Sequence, residues 1–251
     1  MNSFKFDNLK VQRYLNRAEM GKASGEYAIS IVKLLLEKQD TVNILFAAAP
    51  SQNEVLATFM NSNLDFTRIN ALHMDEYFSL PQNAKQCFSQ YLNEHAFHLK
   101  QFKSVFYIGT SNNADKLVKE YEKVVKDYPL DLAFIGLGEN GHIAFNDPHV
   151  ADFNDPYAVK VVTLDDICRQ QQVNDGAFAH IDEVPKEAIT LTIPTIMAAK
   201  YLVCTVPTDK KAWAVKTSIY GEISSNCPGS ILRTHKNCIL FCDENSGKDI
   251  K

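Results

Sequence analysis

The run Leu132-Ala133-Phe134-Ile135-Gly136-Leu137 empties into Gly138-Glu139-Asn140-Gly141-His142, and no other stretch restricts the fold so strongly. An apolar run of that length and composition reads as a strand buried on both faces, the kind found in parallel sheets covered by helices on either side. Gly136, Gly138 and Gly141 fall within six residues and permit a turn where side chains would clash. Ligands of open parallel sheets gather at the carboxyl ends of strands, and this end delivers Glu139, Asn140, His142, Asn146 and Asp147 within nine residues. The cluster is a candidate acid/base site. Three other readings stay open: a tight loop whose polar groups serve the local backbone, a dinucleotide loop with its third glycine out of place, and a metal site of His142, Asp147 and His149.

The 251 residues are 45% hydrophobic, and no Pro/Ser/Gly-rich or charge-run linker divides them, so residues 1–251 read as one α/β domain. The formal net charge of −4 with acids and bases interspersed leaves no basic face for nucleic acid and favours a small-molecule partner. Any anionic ligand then has to be held by a few placed cations. Neither a signal peptide nor a membrane span is visible, which predicts a cytoplasmic protein. Cys87, Cys168, Cys204, Cys227, Cys238 and Cys242 include no CxxC pair and are expected as free thiols.

Along the chain, apolar spacing predicts helices over 18–38, 87–97, 114–126, 165–172 and 209–220, and strands over 43–49, 67–74, 104–108, 188–193, 201–206 and 237–241. This alternation predicts a mainly parallel sheet with helices on both faces. After the strand 43–49, Pro50-Ser51-Gln52-Asn53-Glu54 opens a helix. Ser51 with Glu54 reads either as a capping box or, if Glu54 turns away, as an anion site presenting Ser51, Gln52 or Asn53. The strand 67–74 ends in Asp75-Glu76, and adjacent residues of an extended chain point to opposite faces, so the two carboxylates do not share one role. Arg169 and Lys211 stand near helix starts, where a cation is disfavoured unless an anion is close.

With these residues in view, the chain resembles the glucosamine-6-phosphate deaminase/isomerase family, within the sugar-phosphate isomerase/6-phosphogluconolactonase-like superfamily. The likeness is carried by Met74-Asp75-Glu76-Tyr77 with Leu80-Pro81, by Gly141-His142-Ile143-Ala144-Phe145-Asn146, and by Val184-Pro185-Lys186 leading to Leu191-Thr192. It implies a three-layer α/β/α sandwich with a modified Rossmann-like, mainly parallel sheet. It also implies conversion of an aminosugar phosphate to fructose 6-phosphate and ammonia without a metal or organic cofactor. By the same resemblance Asp75 is the enolising base and His142 assists ring opening. Asp147 and Asn140 complete the catalytic group, while Ser51, Gln52, Asn53, Glu76, Arg169 and Lys211 bind the substrate.

The chain departs from the family pattern in three places. Asn140 stands where an aspartate is expected, Asp147 where a glutamate is expected, and Pro50-Ser51-Gln52-Asn53 replaces a glycine- and threonine-rich turn. A carboxamide cannot titrate, so Asn140 is expected to orient His142 or the substrate by hydrogen bonds without transferring protons. Two rival readings stand beside the deaminase: a lactonase-like hydrolase using His142 to activate water, and a sugar-phosphate-binding protein without catalysis. A phosphorylated aminosugar is the expected partner, homo-oligomer formation is left open, and neither nucleic acid nor membrane is expected.

Overall fold

The computed structural model describes residues 2–111 and 113–250. Its elements run β1 (Asn2–Phe6), β2 (Leu9–Tyr14), α1 (Arg17–Leu36), β3 (Val42–Phe46), α2 (Asn53–Met60), β4 (Ile69–His73), β5 (Asp75–Glu76), α3 (Phe88–Leu92), β6 (Ser104–Phe106) and α4 (Ala114–Asp127). There follow β7 (Leu132–Ile135), β8 (Val159–Thr163), α5 (Asp166–Asn174), β9 (Glu187–Leu191), α6 (Ile193–Met197), β10 (Tyr201–Val206), α7 (Ala212–Tyr220) and β11 (Cys238–Asp243). The main sheet has the order β1-β2-β11-β10-β7-β3-β4-β6, and every neighbouring pair in it is parallel except β1 with β2.

The pleat sorts the central strands into two cores. Val42, Ile44 and Phe46 of β3 with Leu132 and Phe134 of β7 face α1 and α2, whereas Leu45, Ala133 and Ile135 face α4, α6 and α7. Strands buried on both sides need apolar residues at every position, which is why β7 shows no alternation. The first core is rich in phenylalanine: Phe46 meets Phe59, Phe97, Phe102 and Phe134 at centroid distances of 5.3–6.2 Å. Layers on both faces give the α/β/α sandwich expected from the sequence. Among the described residues no helix is long and apolar enough to cross a membrane, and all six cysteines are unpaired and buried.

The structure also departs from the sequence expectation. The run 188–193 does not join the main sheet; β9 lies between β5 and β8 in a second, three-stranded antiparallel sheet. Strands β1, β2 and β8 were not foreseen, and the helix expected over 87–97 is α3 followed by a π-helical turn at Asn93–Phe97. The second sheet matters for the site because it pins Asp75, through Thr190, at the end of β4.

Candidate active site

The turn after β7 is shaped around an imidazole. A Cβ on Gly138 would fall 2.2–2.4 Å from ring atoms of His142, so the ring lies directly over the Gly138 backbone. Gly141, at φ +81°, takes a left-handed conformation that favours glycine, and Cys227 Sγ fills the space where its Cβ would project. His142 Nδ1 lies 2.8 Å from Asn140 Oδ1 and 2.9 Å from Asp147 Oδ1. Two oxygens around Nδ1 call for a proton on that nitrogen, and Nε2 has no protein partner among the described residues.

Asn140 and Asp147 stand behind the histidine and do not line the cavity themselves. Asp147 is fully buried and also accepts from Asn140 Nδ2 at 3.1 Å. Burial pushes its carboxyl up, but the charge and hydrogen bond of His142, with help from Asn140 and the Asp165 N–H, hold it below the usual carboxylate range. Asp147 therefore stays ionised. The trio His142, Asp147 and His149 does not converge as a ligand set, because exposed His149 lies on the side of Asp147 toward Asp165, with its Nε2 2.9 Å from Thr163 O. Cys168 does lie near His142 and Asp147, but burial drives its thiol far up and keeps it protonated.

Asp75 and Glu76 part company as extended geometry requires. The Asp75 carboxylate lines the cavity, receives no hydrogen bond among the described residues, and is pushed well above the usual range by burial and then by Glu76. Glu76 points the other way and accepts from the main-chain N–H groups of Tyr77 at 3.0 Å, Phe88 at 3.0 Å and Ser89 at 2.9 Å. The substrate contact expected of Glu76 is thus corrected: its carboxylate holds the start of α3 and ties down the segment 77–88. That segment brings Lys85, Gln86, Cys87 and Phe88 to the cavity wall.

The cavity lining also includes Ser51, Gln52, Arg17 and Lys211. Ser51 and Gln52 line the cavity, but Asn53 does not, since its Oδ1 accepts from Tyr91 Oη at 2.6 Å. No capping box forms: the start of α2 has no side-chain cap, and Glu54 pairs with Arg17 at 2.6 Å. Lys211 is buried with an Nζ that finds no hydrogen-bond partner among the described residues, and burial lowers its pKa to about 8 against the opposing pull of Asp175 and Glu139. Thr208, three residues before it, is held at φ +76°, a conformation costly for a β-branched residue, with its N–H on Asp243 Oδ2 at 3.2 Å.

Arg169, expected to bind the substrate, is a further correction. Its guanidinium is buried away from the cavity, donating to Asp166 at 3.1 Å and to the carbonyls of Ile181 at 2.6 Å and Val184 at 3.2 Å. It braces the loop after α5. The arginine that does line the cavity is Arg17, which donates to the Pro50 carbonyl as well as to Glu54. Nothing in the sequence reading singled it out, although it stands in the first turn of α1, where a cation is disfavoured without a nearby anion.

Ser51, Asp75, His142, Lys211 and Arg17 therefore share one cavity of about 280 Å³ at the carboxyl ends of β3, β4, β7 and β10. Over residues 16–241 the chain matches the model of the family described as glucosamine-6-phosphate isomerases/6-phosphogluconolactonase. The chain belongs to this family. It is 30% identical over 243 residues to a glucosamine-6-phosphate deaminase of Streptococcus equi subsp. equi, covering 96% of this chain and all of the relative. A glucosamine-6-phosphate deaminase of Bacillus cereus is 31% identical over 222 residues, 88% of this chain and 83% of its own. Among solved structures, a monomeric glucosamine-6-phosphate deaminase superposes with a TM-score of 0.85 at 25% identity, covering 95% of this chain and 98% of its own. A 6-phosphogluconolactonase from Thermotoga maritima shares the fold, with a TM-score of 0.75 at 18% identity over 94% of this chain and 98% of its own.

Proposed function

We propose that this protein is a glucosamine-6-phosphate deaminase, converting an aminosugar phosphate and water to fructose 6-phosphate and ammonia. The observation that carries the reading is that one cavity holds a desolvated carboxylate, Asp75, that receives no hydrogen bond among the described residues, together with His142, whose Nδ1 is held by Asn140 and Asp147. His142 takes the proton of the anomeric hydroxyl and delivers it to the ring oxygen as the C1–O5 bond breaks and the C1 aldehyde forms. Asp75 then takes the C2 proton and returns a proton at C1, which leaves an imine at C2 that water hydrolyses with release of ammonia. A carboxylate of raised basicity is suited to a carbon acid, because proton transfer is most efficient when the two pKa values approach each other.

The phosphate is placed at the other end, between Ser51, Gln52, Lys211 and Arg17. A buried ammonium with no protein partner and a helix start without a side-chain cap are what a bound phosphate would satisfy. A lactonase would need only His142 and would leave the desolvated Asp75 without a role. A silent binder would not need Nδ1 of His142 tied to two oxygens.

The cavity is lined by residues from Arg17 to Lys211, and we treat residues 1–251 as one functional domain. Six unpaired cysteines fit a reducing compartment, and we place the activity in the cytoplasm. The purified protein is incubated in parallel with glucosamine 6-phosphate and with 6-phosphogluconolactone while ammonia and acid are followed. Ammonia from the first substrate supports the proposal. Acid from the second alone, or no turnover of either, would reject it.

A further inference from the structure

Asn140 has four polar neighbours and one orientation that suits them all. Its Nδ2 donates to Asp147 Oδ1 and to Asp165 Oδ2, both at 3.1 Å, while its Oδ1 accepts from the His142 main-chain N–H at 3.1 Å and faces His142 Nδ1 at 2.8 Å. A flipped amide would set oxygen against two carboxylates and an NH2 group against two donors. Asp147 cannot fix the amide alone, because the oxygen it offers Asn140 is the same one that faces His142 Nδ1. Asp165 supplies the separate oxygen. It is itself anchored as the N-cap of α5, where its Oδ1 accepts from the Cys168 N–H at 2.6 Å.

We propose that Asp165 is a positioning residue for His142, acting through Asn140. The proposal rests on the reading of His142 as the group that opens the sugar ring. Aspartate at both positions would bring an oxygen of residue 140 to about 3.1 Å from two carboxylates at once. Asparagine at both would oppose donor to donor, since the oxygen of residue 165 is committed to Cys168 N–H. One acid and one amide satisfy the pair. The other titratable groups around it are His142, Asp147, His149 and Cys168, with Asp75 beyond Cys168.

Coupling of this kind predicts rescue. Kinetics with glucosamine 6-phosphate across pH are measured for the native protein, Asn140→Asp, Asp165→Asn, the double variant and Asp165→Ser. The ¹⁵N shifts of the His142 ring are recorded without substrate. Asn140→Asp is expected to lose about 100-fold in kcat, and Asp165→Asn about tenfold with KM within about twofold. The double variant is expected to recover at least about tenfold over Asn140→Asp, a departure from additivity that residues without contact do not show. Asp165→Ser keeps an N-cap, so its unfolding temperature should stay near native while kcat falls, the acid limb of the profile moves and the Nδ1–H tautomer of His142 becomes less populated. Independent losses in the double variant, or native kcat and native ring shifts in Asp165→Ser, would overturn the proposal. If the native protein does not act on the substrate, the ring shifts of the five proteins still decide it.

Discussion

Arg17 Nε lies 2.6 Å from Glu54 Oε1, joining the first turn of α1 to the first turn of α2 beside the cavity that Arg17 lines. The pair turns Glu54 away from the site it would otherwise make repulsive to phosphate. It also leaves Arg17 Nη1 without a protein partner among the described residues, half-buried beside Ser51. Arg17→Ala is expected to raise KM for the phosphorylated substrate by about tenfold, the loss of one charge-assisted contact, with kcat little changed. Arg169→Ala should do the reverse, lowering the unfolding temperature through three lost hydrogen bonds while KM stays within about twofold. Steady-state kinetics and thermal melts on both variants check this, and an exchanged pattern would return the phosphate to Arg169.

Asp75→Asn keeps shape and removes the base. Turnover is expected to fall by about two to four orders of magnitude while the affinity for a phosphorylated sugar that cannot enolise stays near native. Because burial and Glu76 raise the Asp75 pKa, the group ionises only at higher pH than an ordinary carboxylate. The acid limb of kcat/KM should therefore lie above the usual carboxylate range and vanish with the substitution. A variant retaining most of its rate would remove Asp75 from the chemistry.

Lys211 sets the basic side. Its pKa in the free protein is lowered to about 8, so its charge is present below that pH and lost above it. Affinity for the phosphorylated substrate should fall as pH rises through about 8, and Lys211→Ala should abolish that dependence. The same substitution should scarcely alter binding of an unphosphorylated aminosugar. Equal weakening of both ligands would place Lys211 outside the phosphate site.

How far the sequence discloses the site depends on how local each determinant is. Strand β7, its glycine turn and the strand-end Asp75 are legible because the apolar run, the turn residues and the functional groups are contiguous. The dipole argument that singled out Arg169 and Lys211 applied equally to Arg17, and it could not tell which cation faces an anion and which braces a loop. That distinction lies in tertiary contacts: Ile181 and Val184 for Arg169, Glu54 and Pro50 for Arg17. Strand β9 reads as an ordinary buried strand, and only its antiparallel pairing with Asp75–Glu76 shows that it belongs to a second sheet. The role of Asn140 is likewise decided by Asp165, 25 residues later in the chain.

Asp147 offers the sharpest separation of stability from catalysis. Its folded pKa is depressed, so it contributes stability that is present above its unfolded value of about 4 and lost as pH falls through the lower folded value. Asp147→Asn should flatten that acid dependence, bringing the variant closer to native stability in acid than at neutrality. Catalysis should suffer at every pH. Without the anion beside Nδ1, the imidazolium that forms as His142 accepts a proton loses its counter-charge, and the ring is held by Asn140 alone. A fall in kcat of about two orders of magnitude with KM within about threefold is expected, because Asp147 touches the histidine and not the cavity. Urea unfolding at several pH values, paired with kinetics on the same samples, measures both. A variant with native kcat and altered acid stability would make Asp147 purely structural and would free His142 from the relay.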